Sequence, residues 1–132
     1  MGHASQTLLV VDSHADCRET LAMALEFCGY QVRTAASPHE ALVWLREATP
    51  RAVLVDTHLL GGCGLDVARV LRANPRFDQT RIVLTGTWFT AEDRACAAAV
   101  PVDELWLKPL DFGDLVQQLS LTLACTAAGH DS

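Results

Sequence analysis

Four residues of this 132-residue chain combine side-chain types that could manage a phosphoryl group: Asp12, Asp56, Thr85 and Lys108, spaced 44, 29 and 23 residues apart. Two carboxylates at one edge repel each other, and a divalent cation relieves the repulsion. Mg²⁺ suits such a pair because it takes oxygen ligands and keeps several waters. A carboxylate can also attack phosphorus and form an aspartyl phosphate. The transferred group carries charge on three equatorial oxygens, so it calls for a cation, a hydroxyl or amide donor and a metal. Lys108, Thr85 and Mg²⁺ would supply these in turn. Lys108 also stands out by count: nine of the ten basic residues are Arg, and it is the one lysine.

All four stand at the ends of apolar runs. Thr7 to Asp12 (TLLVVD), Arg51 to Asp56 (RAVLVD) and Arg81 to Thr85 (RIVLT) read as buried strands, Gln31 to Ala35 as a weaker one and Glu104 to Leu107 as a short fifth. Helical patterns lie between them. Ala15 to Cys28 sets Cys17, Leu21, Ala24, Leu25 and Cys28 on one face, with Gly29 just beyond. Ser37-Pro38-His39-Glu40 is a helix start, with a Ser cap, an early Pro and Glu three residues on; that helix is expected to run to about Ala48. Further helices are expected from about Leu65 to Ala73 and from Thr90 to Ala99. A last one, capped by Asp111, turns Phe112, Leu115, Val116, Leu119 and Leu123 inward. Five strands alternating with five helices imply an α/β fold, a five-stranded parallel sheet with helices on both faces. Continuous apolar strands agree with burial on both faces. In such a sheet the ligand site lies at the carboxyl ends of the strands, where these four residues stand.

Composition narrows the classes. Half the residues are hydrophobic, so one domain-sized core is affordable and wholesale disorder is excluded. Sixteen acids against ten bases leave a formal charge of −6, a poor balance for wrapping nucleic acid or anionic lipid. No apolar run is long enough to span a bilayer, and MGHASQT lacks the basic start and apolar middle of a signal peptide. Cys17, Cys28, Cys63, Cys96 and Cys125 show no C-x-x-C spacing and read as reduced, mostly buried small hydrophobes. Gly61, Gly62 and Gly64 lack the Lys-Ser/Thr of a P-loop, so they read as loop flexibility. Trp44, Trp88 and Trp106 read as packing, and His14, His39 and His130 as solvated. The expected division is a leader or disordered segment over 1–6, one domain over 7–125 and a flexible tail over 126–132.

The segments LLVVDS (8–13), VLVDTHLLGGCGLD (53–66), VLTGT (83–87) and LWLKPLD (105–111) resemble the receiver domains of two-component response regulators. The resemblance runs from about Thr7 to about Leu123 and implies a flavodoxin-like (βα)5 fold. It implies that Asp56 is the phosphoacceptor, taking the group from a histidine kinase or phosphotransfer protein. It also implies that Asp12 and Asp56 hold Mg²⁺ with the backbone carbonyl of His58, and that Thr85 and Lys108 bind phosphoryl oxygens. Lys108–Pro109 is expected to be cis. Leu105 and Trp106 would form the switch to a downstream output. The fourth helix, fifth strand and fifth helix would form the output face, also the expected surface for a homodimer; Leu121, off the apolar stripe, is a weaker contact candidate. Such a domain is expected in the cytoplasm, without direct nucleic-acid or membrane contact, as a signalling switch rather than a turnover enzyme.

Departures from the family pattern carry their own expectations. Ser13 stands where a second acid usually ligates the metal, so it contributes weakly or not at all and Mg²⁺ is expected to bind weakly. Leu60 replaces a common Pro, and Leu105 replaces an aromatic three residues before the lysine. His58 and Thr87 occupy positions that tune phosphoryl lifetime. Two alternatives follow: a pseudo-receiver that binds partners without phosphorylation, and a haloacid-dehalogenase-type phosphatase. The latter needs a second Asp where this chain has His14, and a cap domain for which the chain has no room.

Overall fold

The computed structural model describes residues 7–108, 113–119 and 121. Five strands form the central sheet: β1 (Thr7–Val11), β2 (Gln31–Ala35), β3 (Ala52–Asp56), β4 (Arg81–Gly86) and β5 (Glu104–Leu107). Their order is β2-β1-β3-β4-β5, and every neighbouring pair is parallel. The helices are α1 (Ala15–Phe27), α2 (Pro38–Leu45), α3 (Gly64–Arg72), α4 (Ala91–Ala99) and α5 (residues 113–119). A two-stranded ribbon, His58–Leu59 against Gly62–Cys63, leads from β3 into α3.

The alternation of side chains along each strand divides the core in two. Leu9, Val11, Val53, Val55, Ile82 and Leu84 face α2, α3 and α4 through residues such as Leu45, Ala68, Leu71 and Ala97. Leu8, Val10, Leu54, Val83 and Trp106 face α1 and α5 through Leu21, Leu25, Leu115 and Leu119. Both sides of β1, β3 and β4 are therefore dry, and each fully buried aliphatic side chain there contributes about 1.5–3 kcal/mol.

Local signals set the helix ends. Ser37 Oγ accepts from Glu40 N at 3.2 Å while Glu40 Oε1 accepts from Ala36 N at 2.9 Å, and Thr90 with Asp93 makes the reciprocal box of α4. Several expectations are corrected. Helix α2 stops at Leu45 rather than Ala48, because its last turn tightens to bonds three residues back and Arg76 donates to the carbonyls of Leu45 and Arg46. Cys17 is exposed, since α1 buries Leu21, Ala22 and Leu25 and its first turn lies at the rim of the sheet. Cys28, Cys63 and Cys96 are only half-buried, so none of the four described cysteines is a core residue. Trp88 is exposed, and Val116 lies outside the Leu115/Leu119 stripe of α5. Gly61 takes φ +86° at the ribbon's turn, in the left-handed region that favours glycine. Val100–Pro101 is cis. Lys108–Pro109, Asp111, Phe112, Leu123, Cys125, His130 and both terminal segments lie outside the described residues.

Candidate functional site

The sheet order places β1 beside β3 where the winding reverses, and chains of this topology form a crevice at that point. Asp12 follows β1 directly, and Asp56 ends β3; they are 2% and 5% exposed. Thr85 of β4 lies in register with Asp56 and is equally buried. Lys108 follows β5, and its N–H donates to the Gly86 carbonyl at 2.8 Å. The ammonium reaches back across the sheet edge: Nζ donates to Asp12 Oδ2 at 2.7 Å and to Asp56 Oδ2 at 2.9 Å. The structure thus gathers all four sequence-selected residues at one edge.

Each carboxylate uses its other oxygen locally. Asp12 Oδ1 accepts from His14 N at 2.9 Å, and Asp56 Oδ1 accepts from His58 N at 3.1 Å. These short turns hold both carboxylates in fixed orientations and offset part of their charge. The Lys108 ammonium faces both acids directly, and the Arg18 guanidinium donates to the Asp12 backbone carbonyl at 2.8 Å at the same edge. Burial pulls the Lys108 ammonium down, but the hydrogen bonds and charges of Asp12 and Asp56 outweigh it and hold its pKa above the ordinary lysine value.

Ser13 does not turn toward the carboxylates' shared edge as a free donor. Its hydroxyl donates to Ala36 O at 3.1 Å and accepts from Leu60 N at 2.8 Å. It thereby ties together the loops that follow β1, β2 and β3. Leu60 is otherwise exposed. Leu105 is half-buried on the α2–α4 side, while Trp106 is buried on the α1–α5 side with Nε1 donating to Glu104 Oε1 at 2.7 Å. His58 lies at the mouth with its ring 5.5 Å from that of Trp88, and Thr87 is exposed beside them.

Three residues shape the site in ways the sequence did not disclose. Thr57 is fully buried and donates to Thr85 O from both N, at 2.8 Å, and Oγ1, at 3.0 Å, which locks β3 to β4 beside the carboxylate. Gly64 brings the start of α3 against β3: a Cβ there would lie 2.2 Å from the Asp56 carbonyl oxygen. The G-x-G run signalled it, though not its cause. His14 is solvated as expected, yet its Nδ1 lies 3.6 Å from Asp12 Oδ1, and Asp12, His14 and Asp56 each offer a ligand atom within 4.8 Å of the others. Two converging carboxylates with a donor at the rim are a donor set that fits a small divalent cation.

Comparison with known proteins identifies the family. The response regulator receiver domain model matches residues 8–120. The DNA-binding response regulator MtrA of Mycolicibacterium paratuberculosis is 41% identical over 118 residues, which is 89% of this chain and 51% of MtrA. The phosphate regulon transcriptional regulatory protein PhoB of Pseudomonas aeruginosa is 28% identical over 124 residues, 94% of this chain and 54% of PhoB. The chain therefore spans about half the length of the curated relatives it matches. A solved putative response regulator from Chloroflexus aurantiacus superposes with a TM-score of 0.83 at 27% identity, covering 92% of this chain and 99% of that one. A CheY-like receiver domain protein from Methanospirillum hungatei reaches a TM-score of 0.86 at 20% identity, with 96% and 99% covered, and speaks for the fold. On its matched residues, its sheet order and its relatives, the chain belongs to the response regulator receiver domains.

Proposed function

We propose that this receiver accepts a phosphoryl group on Asp56 from a phosphohistidine of a histidine kinase or phosphotransfer protein. The observation that carries the reading is the fork of Lys108 Nζ between Asp12 and Asp56, a half-buried cation already held where a phosphoryl oxygen would need one. An Asp56 carboxylate oxygen attacks phosphorus, the P–N bond breaks, and the imidazole leaves with the bonding pair. Lys108 then exchanges an Asp56 contact for a phosphoryl oxygen, and Thr85, next to Asp56 in the sheet, supplies a hydroxyl. Asp12 and Asp56, with the His58 carbonyl, would hold Mg²⁺, which when bound neutralises the two acids and offsets charge on the transferred group. Leu105 and Trp106, joined to Thr85 through β5, would carry the change to the α4–β5–α5 face and so to an output protein or a second copy. The setting is a cytoplasmic phosphorelay.

Ser13 favours a second reading, a partner-binding module that works unphosphorylated, because its hydroxyl is spent on two loops. Incubation with acetyl phosphate and Mg²⁺ followed by intact mass separates the two. The wild type is expected to gain one phosphoryl group and Asp56→Asn none. An unmodified wild type would support the second reading.

A further inference from the structure

We propose that His14 makes this a mixed oxygen and nitrogen cation site, selecting a first-row transition dication such as Mn²⁺ or Co²⁺ over Mg²⁺. The inference rests on the reading above only in taking Asp12 and Asp56 as the cation-holding pair. The residue at position 13, which would supply a third oxygen, is a serine whose proton and one lone pair are already used on Ala36 O and Leu60 N. Beyond the two carboxylates and the His58 carbonyl, the His14 imidazole offers a side-chain donor, with Nδ1 3.6 Å from Asp12 Oδ1 and a ring nitrogen within 4.8 Å of an Asp56 oxygen. Ligand atoms about 2.0–2.2 Å from one ion lie roughly 3–4.4 Å apart, so a small inward swing closes the set. His14 is free to make it, being 75% exposed at the cap of α1 with no cap bond from its side chain. Its backbone N–H already fixes the carboxylate it would share the ion with.

The chemistry of the donors then decides the ion. Mg²⁺ dehydrates reluctantly and takes oxygen, so an imidazole adds little to its binding. Mn²⁺ and Co²⁺ accept imidazole nitrogen, and Co²⁺ stands higher in the affinity order for such sites. Exchanging a carboxylate for a neutral ring also leaves the pocket with one formal negative charge fewer, which weakens a hard, charge-driven ion most.

The test titrates the whole chain with Mg²⁺, Mn²⁺ and Co²⁺, in wild type, His14→Ala, Ser13→Asp and Asp12→Asn, and records pulsed EPR of the Mn²⁺ complex. The wild type is expected to bind Co²⁺ more tightly than Mg²⁺, with imidazole nitrogen modulation on Mn²⁺. His14→Ala should lose the modulation and about tenfold or more of the Co²⁺ affinity while leaving Mg²⁺ unchanged, and Ser13→Asp should tighten Mg²⁺. An identical Co²⁺-to-Mg²⁺ ratio in wild type and His14→Ala overturns the proposal, as does Co²⁺ binding that survives Asp12→Asn. Intact mass after acetyl phosphate, run in parallel, keeps the two readings apart. Labelling with an unchanged ratio removes the His14 role alone, and a His14-dependent site without labelling removes phosphoacceptance alone.

Discussion

At the scale of residues, the site is two buried carboxylates that share one half-buried ammonium at the sheet edge. The raised pKa of Lys108 has a consequence for stability. A group whose folded pKa lies above its unfolded value stabilises fully below the unfolded value, about 10.4 for lysine, and loses that contribution as pH rises through the folded one. The urea midpoint of the wild type should hold through neutral and mildly alkaline pH and then fall more steeply than that of Lys108→Met; equal slopes would contradict the pairing. Gly64 carries a second prediction. Because an added Cβ would sit 2.2 Å from the Asp56 carbonyl oxygen, Gly64→Ala must displace backbone, costing about 1–3 kcal/mol in chemical denaturation and slowing modification of Asp56. Gly62→Ala meets only the Pro38 ring, at 3.1 Å, and should be milder. Asp12, Asp56, Thr85 and Lys108 were legible in the sequence because each ends an apolar run, and parallel strands gather their ends. Thr57, Gly64 and His14 were not, since their roles depend on a cross-strand bond, a close helix approach and a loop turn that no spacing encodes.

Elements were legible where burial is two-sided. The runs LLVV, AVLVD and IVLT read as strands because each must pack on both faces, and the structure sorts their alternate residues between α2–α4 and α1–α5. Helix faces were harder, because α1 and α4 bury narrow stripes, and this misplaced Cys17, Cys28 and Cys96. The end of the sheet opposite the site was missed altogether. There Arg72 of α3 donates to the carbonyls of Pro101, Phe77 and Thr80 and pairs with Asp103 Oδ2 at 2.8 Å, while Asp103 also takes Arg81 at 3.1 Å and the Ile82 N–H at 2.7 Å. One guanidinium thereby fastens α3, the turn after it and the approach to β5. Arg72→Ala is expected to cost about 2–4 kcal/mol and Arg72→Lys to recover less than half, since an ammonium cannot reach all four acceptors. Modification of Asp56 at a temperature where both variants remain folded should be unchanged. A loss of stability within error of zero would sink the assignment.

For the molecule as a whole, the net charge of −6 gains a location. Part of it is concentrated at the carboxyl edge of the sheet, and the chain's single lysine is aimed at it from β5. Among the described residues no helix is long and apolar enough to cross a membrane. The fold and family follow from the matched residues and superpositions, while the proposed chemistry rests on the pocket, and Ser13 with His14 is where this receiver's proposed cation preference differs. The central claim is that the phosphoryl group resides on Asp56. Borohydride trapping of the acetyl-phosphate-treated chain, followed by peptide mapping, tests it most directly. Reduction confined to the peptide containing Asp56 and absent from Asp56→Asn is predicted; a trapped residue elsewhere, or none in a chain that has gained phosphate mass, would contradict it.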